Sequence, residues 1–125
     1  MISHLSLGSA DLDRSTRFYD SVLEPLGFGR FDGAKDGEAA YGPSGTGVFW
    51  LYQVEQSAGL AGPGSHVAFQ AGSREQLHKA AKAAADAGSK FTREPGPHSD
   101  IAPDYYGAIF FDPDGHKLEV VVEAE

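Results

Sequence analysis

A short pattern occurs twice in this chain of 125 residues, and the repeat limits the folds that the chain can adopt. The first copy reads SHLSLGSADLDRSTRFYD from Ser3, and the second reads SHVAFQAGSREQLHKAA from Ser65. Each copy begins with a Ser-His pair, continues with alternating apolar residues and reaches a helix-start signal, and His66 follows His4 by 62 positions. Internal similarity of this kind is typical of a repeated structural unit. We therefore expect two copies of one folding module.

The first copy predicts a strand followed by a helix. Its residues alternate in character, which places Leu5 and Leu7 on one face of the strand and His4 on the other. Asp11 is a favourable N-cap for a helix that continues to Leu23. The first histidine of the repeat should thus point away from the more apolar face.

The second copy predicts the same order. Val67 and Phe69 share one face of a strand, and His66 belongs to the other. The sequence Ser-Arg-Glu-Gln from Ser73 fits a capping box, and an alanine-rich helix should run from there to about Ala87. The two histidines therefore have equivalent predicted positions.

Each predicted helix is followed by three short segments typical of strands. These segments span about 28–31, 38–41 and 47–54 in the first half, and about 90–93, 107–111 and 117–122 in the second. Each half reads βαβββ. Small residues at about 56–64 predict a connector between module one, about 1–55, and module two, about 65–125, and the length of 125 residues fits a single domain.

Composition excludes several classes of partner. The formal net charge of −8 argues against binding to nucleic acid, because phosphate backbones are bound by clustered Lys and Arg. No apolar run is as long as a membrane span and the N-terminus does not resemble a signal peptide, so we expect no membrane association and a cytoplasmic location. The chain contains no cysteine, so any metal must be held by His, Asp or Glu.

The end of the chain supplies a carboxylate for such a site. The sequence Asp-Pro-Asp-Gly from Asp112 predicts a tight turn, and the strand after it places Leu118 and Val120 on one face and Glu119 on the other. If the helices cover the apolar face of each sheet, then Glu119 projects onto the uncovered face together with His4 and His66. These three residues are the candidate metal ligands.

With these segments the chain resembles the vicinal oxygen chelate superfamily, which includes glyoxalase I, extradiol dioxygenases, fosfomycin-resistance thioltransferases and bleomycin-resistance proteins. The similarity is carried by SHLSLGSADLDRSTRFYDSVLEPLGF, by the second SHVAF and by DPDGHKLEVV. It implies an α+β fold in which two βαβββ modules form one domain and their sheets curl around a central cleft. It also implies a divalent metal ion (Fe, Mn, Ni or Zn) held by His4, His66 and Glu119, which occupy the family's ligand positions.

The resemblance carries two further implications. Family members often form homodimers and sometimes exchange modules between chains, in which case His4 and His66 belong to different subunits' halves of one site. Glyoxalase I has a fourth ligand, a glutamate, in the last strand of its first module, whereas this chain has Trp50 near that position. Gln53 or Glu55 would replace it only if the strand contained a bulge. Each lies an odd number of residues from Trp50, so in a regular strand it faces the opposite side.

A loop rich in proline and aromatic residues, GPHSDIAPDYYG, precedes the predicted strand at 107–111. Such loops in small domains often bind ligands, so we predict that His98, Tyr105 and Tyr106 line the mouth of the cleft and that Trp50 forms part of its wall. A structural role is the competing interpretation for His98, as it is for His78 and His116, because a lone histidine is more often structural than functional.

These observations leave three functional alternatives. The leading one is a metal-dependent enzyme for a small-molecule substrate, similar to glyoxalase-type lyases and isomerases, in which the ion binds neighbouring substrate oxygens. The sequence does not identify its general base. The second is a metal-free protein that binds a drug-like ligand, planar or cationic, against Trp50, Tyr105 and Tyr106. The third is an Fe(II)-dependent extradiol-type dioxygenase that uses the same three ligands.

Overall fold

The computed structural model describes residues 1–56 and 64–122, and each half of the chain has the order βαβββ. The elements are β1 (Leu5–Ser9), α1 (Leu12–Leu23), β2 (Phe28–Phe31), β3 (Glu38–Pro43), β4 (Phe49–Gln53), β5 (Val67–Ala71), α2 (Arg74–Asp86), β6 (Phe91–Pro97), β7 (Tyr106–Phe111) and β8 (Lys117–Val122). A single 3₁₀ turn, Glu24–Leu26, follows α1. The prediction of an α+β fold with two βαβββ modules is confirmed. Most of the predicted connector at 56–64 lies outside the described residues.

The strands form two separate four-stranded sheets with the same topology. Their strand orders are β1-β4-β3-β2 and β5-β8-β7-β6. In each sheet the first strand of the module pairs in parallel with the last, and the remaining pairs are antiparallel. Neither sheet is closed, so β1 and β5 are edge strands. The prediction of two equivalent modules therefore extends to strand order and direction.

Both helices begin at the predicted caps. The Asp11 carboxylate accepts a hydrogen bond from the backbone N–H of Arg14 at 3.1 Å, and the Ser73 hydroxyl accepts one from Gln76 at 3.1 Å. The Gln76 side chain also accepts from the N–H of Gly72 at 2.8 Å, which completes a reciprocal cap. Strand β1 starts at Leu5, where its pairing with β4 begins, so His4, predicted to lie within this strand, directly precedes it.

One hydrophobic core joins residues of both modules. The rings of Phe49 in β4 and Phe69 in β5 have centroids 5.1 Å apart, and those of Phe18 in α1 and Phe110 in β7 are 6.5 Å apart. Helices α1 and α2 also contact each other. Burial of these side chains away from water stabilises the packing of one module on the other. Among residues 1–56 and 64–122, neither helix has the length and hydrophobicity to cross a bilayer.

A turn at 112–116 in module two is hydrogen-bonded to module one. The Tyr19 hydroxyl on α1 donates to Asp112 Oδ2 at 2.5 Å, and burial together with this carboxylate holds the pKa of Tyr19 well above its usual value. The His116 ring donates from Nε2 to the carbonyl of Gly8 at 2.8 Å. Both bonds join residues distant in sequence, so the turn at 112–116 connects the two modules as well as two strands.

Asp114 forms further hydrogen bonds between the turn at 112–116 and module one. Its carboxylate accepts from the backbone N–H of Ala10 and from the hydroxyl of Ser15, each at 2.9 Å. Burial opposes ionisation of Asp114, but these hydrogen bonds and the positive charge of Arg14 outweigh it and lower the pKa. The ionised form of this side chain therefore helps to hold the start of α1 against module two.

Candidate metal centre

Module two brings two of the three predicted ligands together. His66 lies directly before β5 and Glu119 lies in β8, where it pairs in register with Ala68. Residues 66 and 68 share a face because side chains alternate along an extended chain, so the imidazole reaches the carboxylate. His66 Nε2 is 3.1 Å from Glu119 Oε1. The side chains are 38% and 14% exposed, so the pair is accessible to a small solute.

The second nitrogen of His66 determines how the ring is protonated. Nδ1 lies 2.9 Å from the carbonyl oxygen of Gly64, which accepts hydrogen bonds and cannot donate them. Nδ1 therefore carries the hydrogen, and in a neutral ring Nε2 presents a lone pair toward the Glu119 carboxylate. A backbone carbonyl that fixes the outer nitrogen in this way is typical of metal-binding histidines.

Two lone-pair groups this close need a positive charge between them or on one of them. Either a hydrogen on Nε2 or a divalent ion would supply that charge. The separation of 3.1 Å between His66 Nε2 and Glu119 Oε1 is that of a hydrogen bond. A ring nitrogen and a carboxylate oxygen on one face are donor atoms that a divalent ion would accept as ligands.

Tyr105 contacts the other oxygen of Glu119. Its hydroxyl donates to Oε2 at 2.8 Å, and burial together with this carboxylate raises the pKa of Tyr105 far above its usual value. The hydroxyl is therefore a neutral donor over the working pH range. The ring of His98 lies beside Tyr105, with centroids 5.8 Å apart, and His98 Nε2 donates to the carbonyl of Glu94 at 2.7 Å. The structure thus places Tyr105 against Glu119 and His98 beside Tyr105.

Tyr106 does not join this group. Its hydroxyl forms a hydrogen bond of 2.7 Å with His78 Nε2 on α2, and the Arg74 guanidinium lies 4.2 Å from the centroid of its ring. Tyr105 and Tyr106 face opposite sides of the sheet because side chains alternate along a strand. Tyr106 therefore lies on the side covered by the helix, away from Glu119.

The strand registers identify Trp50 as the counterpart of Glu119. In module one Ser6 pairs with Trp50, and in module two Ala68 pairs with Glu119. The offset from His4 to Ser6 equals that from His66 to Ala68, so the two pairs are equivalent. The pairing of β1 with β4 is continuous, and the Gln53 side chain hydrogen-bonds to Ala10 instead. No bulge brings Gln53 to the position of a fourth ligand.

Trp50 belongs to an aromatic cluster that consists of Phe31, Trp50 and Tyr52. The rings of Trp50 and Tyr52 are stacked, with an interplanar angle of 14° and centroids 6.2 Å apart, and the ring of Phe31 approaches Trp50 edge-on at 5.6 Å. Trp50 Nε1 donates to the carbonyl of Gly47 at 3.1 Å, which fixes the orientation of the indole. The open face of module one is thus aromatic where that of module two carries a carboxylate.

His4 stands apart from the other two predicted ligands. It precedes β1, is exposed, and its Nδ1 lies 2.9 Å from the hydroxyl of Ser3. Within residues 1–56 and 64–122 of one chain, no three His, Asp or Glu side chains come close enough together to bind one metal ion. One chain therefore presents His66 and Glu119 as a pair of candidate ligands, and His4 lies apart from them.

Sequence reasoning missed the bond between Tyr105 and Glu119. The alternation of side chains could have suggested it. Ile109 pairs with Glu119 across β7 and β8, and Tyr105 lies four residues before Ile109, so the two side chains share a face. That alternation assigns Tyr105, and not Tyr106, to the face of the carboxylate. It does not predict the contact itself, which also depends on the loop that precedes β7.

The chain belongs to the Glyoxalase/Bleomycin resistance protein/Dioxygenase superfamily, whose family model matches residues 1–120. A glyoxalase/bleomycin resistance protein from Albidiferax ferrireducens is 31% identical over 98% of each chain, with a TM-score of 0.81. The fosfomycin resistance protein FosX from Mesorhizobium loti is 20% identical over 99% of this chain and 92% of its own, with a TM-score of 0.72.

A FosX variant from Listeria monocytogenes, solved with Mn(II) and 1S,2S-dihydroxypropylphosphonic acid, is 18% identical over 99% of this chain and 90% of its own, with a TM-score of 0.72. At these identities the two FosX proteins support the fold alone. A comparison with curated protein sequences finds no significant match.

Proposed function

We propose that this protein is a divalent-metal-dependent enzyme that acts on a small molecule with neighbouring oxygen atoms. The observation that carries the proposal is the His66–Glu119 pair, in which Nε2 faces Oε1 at 3.1 Å. The outer nitrogen of the histidine and the second oxygen of the carboxylate are each held by a further hydrogen bond. Such outer contacts are typical of metal sites because they fix the ligands before the ion binds.

We further propose that His4 of a second copy of the chain completes the site. Among residues 1–56 and 64–122, β1 and β5 each pair with one strand only, so their outer edges could pair with another chain. Large apolar side chains are exposed on or beside β1, with Ile2 at 79%, Leu5 at 39% and Val48 at 44%. A two-fold dimer that opposes module one of one copy to module two of the other would cover this surface and bring His4 to His66.

A divalent ion in this site would bind two substrate oxygens and stabilise negative charge that develops on them. His66 offers a single lone pair because Gly64 fixes its tautomer, and Glu119 supplies a negative charge whose direction Tyr105 holds. Trp50 occupies the position equivalent to Glu119 and has no ligand atom for the ion. The three ligands would therefore leave positions for water and a bidentate substrate.

The first test is elemental analysis of protein purified without chelator. We expect a near-stoichiometric divalent metal in the wild type and its loss in His4→Ala, His66→Ala and Glu119→Ala. His78→Ala is the matched control, because His78 contacts Tyr106 on the helix-covered side and should keep the metal. Iron would direct the next assay to ring-opening dioxygenation, and nickel, zinc or manganese to lyase or isomerase chemistry. Absence of metal from reconstituted wild type would overturn the proposal.

Mixing two inactive variants tests whether the site is shared. A dimer formed from His4→Ala and Glu119→Ala chains would have one site with both changes and one intact site. Random re-association should then restore metal to about one quarter of the sites. If each site were made within one chain, the mixture would restore none, and the shared-site proposal would be wrong.

A second candidate function is metal-free ligand binding, and the aromatic cluster of module one favours it. Tyr52 is 38% exposed and Trp50 is partly exposed, so planar ligands can reach their faces. Trp50 is the sole tryptophan of the chain, so its fluorescence reports binding at this cluster directly. This function predicts that quenching by a planar cation persists in EDTA and in Glu119→Ala. Loss of quenching under both conditions would favour the metal-dependent enzyme.

A further inference from the structure

The loop at 98–105 connects β6 to β7 and contains several internal hydrogen bonds. Tyr105 N–H donates to the carbonyl of Ala102 at 3.1 Å, and Ile101 N–H donates to that of His98 at 3.0 Å. Asp100 accepts two hydrogen bonds from the Arg93 guanidinium on β6, at 3.0 and 2.6 Å. The loop at 98–105 is therefore anchored to the sheet on one side and carries Tyr105 at its end.

The strand under Tyr105 is shaped to receive its ring. A Cβ atom added to Gly107 would lie 2.5 Å from Tyr105 Oη and 2.8 Å from Cζ, closer than atoms can approach. The backbone oxygen of Val120 would be 2.7 Å away on the neighbouring strand, so the added atom could not move aside. Tyr105 can reach Glu119 only because residue 107 has no side chain.

The two oxygens of Glu119 have different partners. Oε1 faces His66 Nε2, and Oε2 accepts the hydrogen bond from Tyr105. A carboxylate held at one oxygen can rotate only with loss of that bond, so Tyr105 keeps the other oxygen directed at His66. The direction of the ligand thus depends on a loop that contributes no ligand of its own.

From this geometry we infer that Tyr105 is a positioning residue that couples the conformation of the loop at 98–105 to the affinity of the metal centre. The inference rests on the proposed function, because it concerns the same His66–Glu119 pair. Gly107 permits the coupling, and the Arg93–Asp100 ion pair holds the loop from which it acts. Tyr105 itself contacts neither the metal nor the substrate in this role.

Two adjacent tyrosines provide the test. Tyr105→Phe removes the hydrogen bond to Glu119, whereas Tyr106→Phe removes one to His78 on the opposite face. We expect Tyr105→Phe to weaken binding of Mn²⁺ and Zn²⁺ about 10- to 100-fold, as loss of an outer partner of a ligand does, and Tyr106→Phe to leave it unchanged. Electron paramagnetic resonance of free Mn²⁺ and competition with a Zn²⁺ indicator measure both affinities.

Gly107→Ala disturbs the same contact from the strand side, and its added atom would also crowd the backbone oxygen of Val120. It keeps the tyrosine but should displace its hydroxyl, so it should weaken metal binding to a similar degree, and the double variant with Tyr105→Phe should be little weaker than either. Gly29→Ala is the matched control, because a Cβ there would meet no atom closer than 3.8 Å. Thermal unfolding in EDTA establishes that each variant is folded.

The outcomes separate this inference from the proposal on which it rests. A wild type that binds none of the divalent ions tested would overturn both. A wild type that binds Mn²⁺ while Tyr105→Phe binds it equally well would overturn the positioning role alone. Full additivity of Tyr105→Phe and Gly107→Ala would also contradict it, because the two changes would then act through different contacts.

Discussion

The two modules share strand order and register, but their open faces differ in chemistry. At equivalent positions module two has His66 and Glu119, whose side chains are in contact, whereas module one has His4 and Trp50. Trp50 belongs instead to the aromatic cluster, and His4 lies at the exposed start of the chain. The comparison teaches that a repeated backbone can carry two unlike open faces, one with a His–Glu pair and one with an aromatic cluster.

The faces turned toward the helices are much more alike. Phe49 in β4 is the counterpart of Leu118 in β8, and Leu51 is the counterpart of Val120. All four are buried. Divergence between the modules is therefore concentrated on the side away from the core, where a substitution does not leave a cavity.

The largest expected effect comes from the shared core. Phe49→Ala and Leu118→Ala each remove a buried side chain at equivalent positions, and we expect losses of about 3–5 and about 2–5 kcal/mol in the free energy of unfolding. Ile101→Ala is the control, because that side chain is 43% exposed and does not belong to the apolar surface beside β1, so the change should cost no more than about 0.5 kcal/mol. Urea unfolding followed by Trp50 fluorescence and by circular dichroism measures these changes.

The same experiment tests whether residues 1–125 form one domain. If they do, both probes should report a single transition in the wild type and in both variants. Separate transitions, with Trp50 fluorescence following only Phe49→Ala, would mean that the modules unfold independently.

The next effect concerns the connection between the modules. Asp114→Ala removes the acceptor for Ala10 N–H and for the Ser15 hydroxyl, and leaves these donors without that partner. We expect a loss of about 1–3 kcal/mol in the free energy of unfolding. The exposed Asp104 is the control, and Asp104→Ala should be close to neutral. Equal stability of the two variants would show that the turn at 112–116 does not hold the modules together.

Trp50→Glu would reduce the difference between the two open faces. In the proposed dimer it adds a carboxylate opposite Glu119, and we expect divalent metal affinity to rise roughly tenfold, because the number and charge of oxygen ligands set the affinity. Trp50→Gln introduces a side chain with nearly the shape of glutamate but no charge, so it should give a smaller gain in affinity. Isothermal titration with Mn²⁺ measures both variants. Unchanged affinity in Trp50→Glu would mean that position 50 does not face the metal.

The smallest effect is a dependence of stability on acid pH. The pKa of Asp114 is lower in the folded protein than its ordinary value of 3.8, so its contribution to stability is complete above that value and is lost as the pH falls through the folded-state pKa. Asp114→Asn should therefore lose less stability than the wild type between about pH 5 and about pH 3. Urea midpoints at both pH values check this, with Asp104→Asn as control. Equal losses in Asp114→Asn and wild type would contradict it.

Sequence alone predicted the features that depend on nearby residues. The two modules, the caps at Asp11 and Ser73 and the face assigned to Glu119 all follow from local patterns, and the structure has each of them. The capping hydrogen bonds close within three residues, and strand faces follow from alternation, so neither needs knowledge of the rest of the fold.

Only the tertiary structure decided which distant groups meet. The bonds from Tyr105 to Glu119 and from Tyr19 to Asp112 depend on the register of β7 against β8 and on how α1 packs against module two. The placement of Tyr106 against α2 and the separation of His4 from His66 have the same origin. A repeat in sequence determines two equivalent backbones, but the contacts between them are set by packing in three dimensions, which no local pattern specifies.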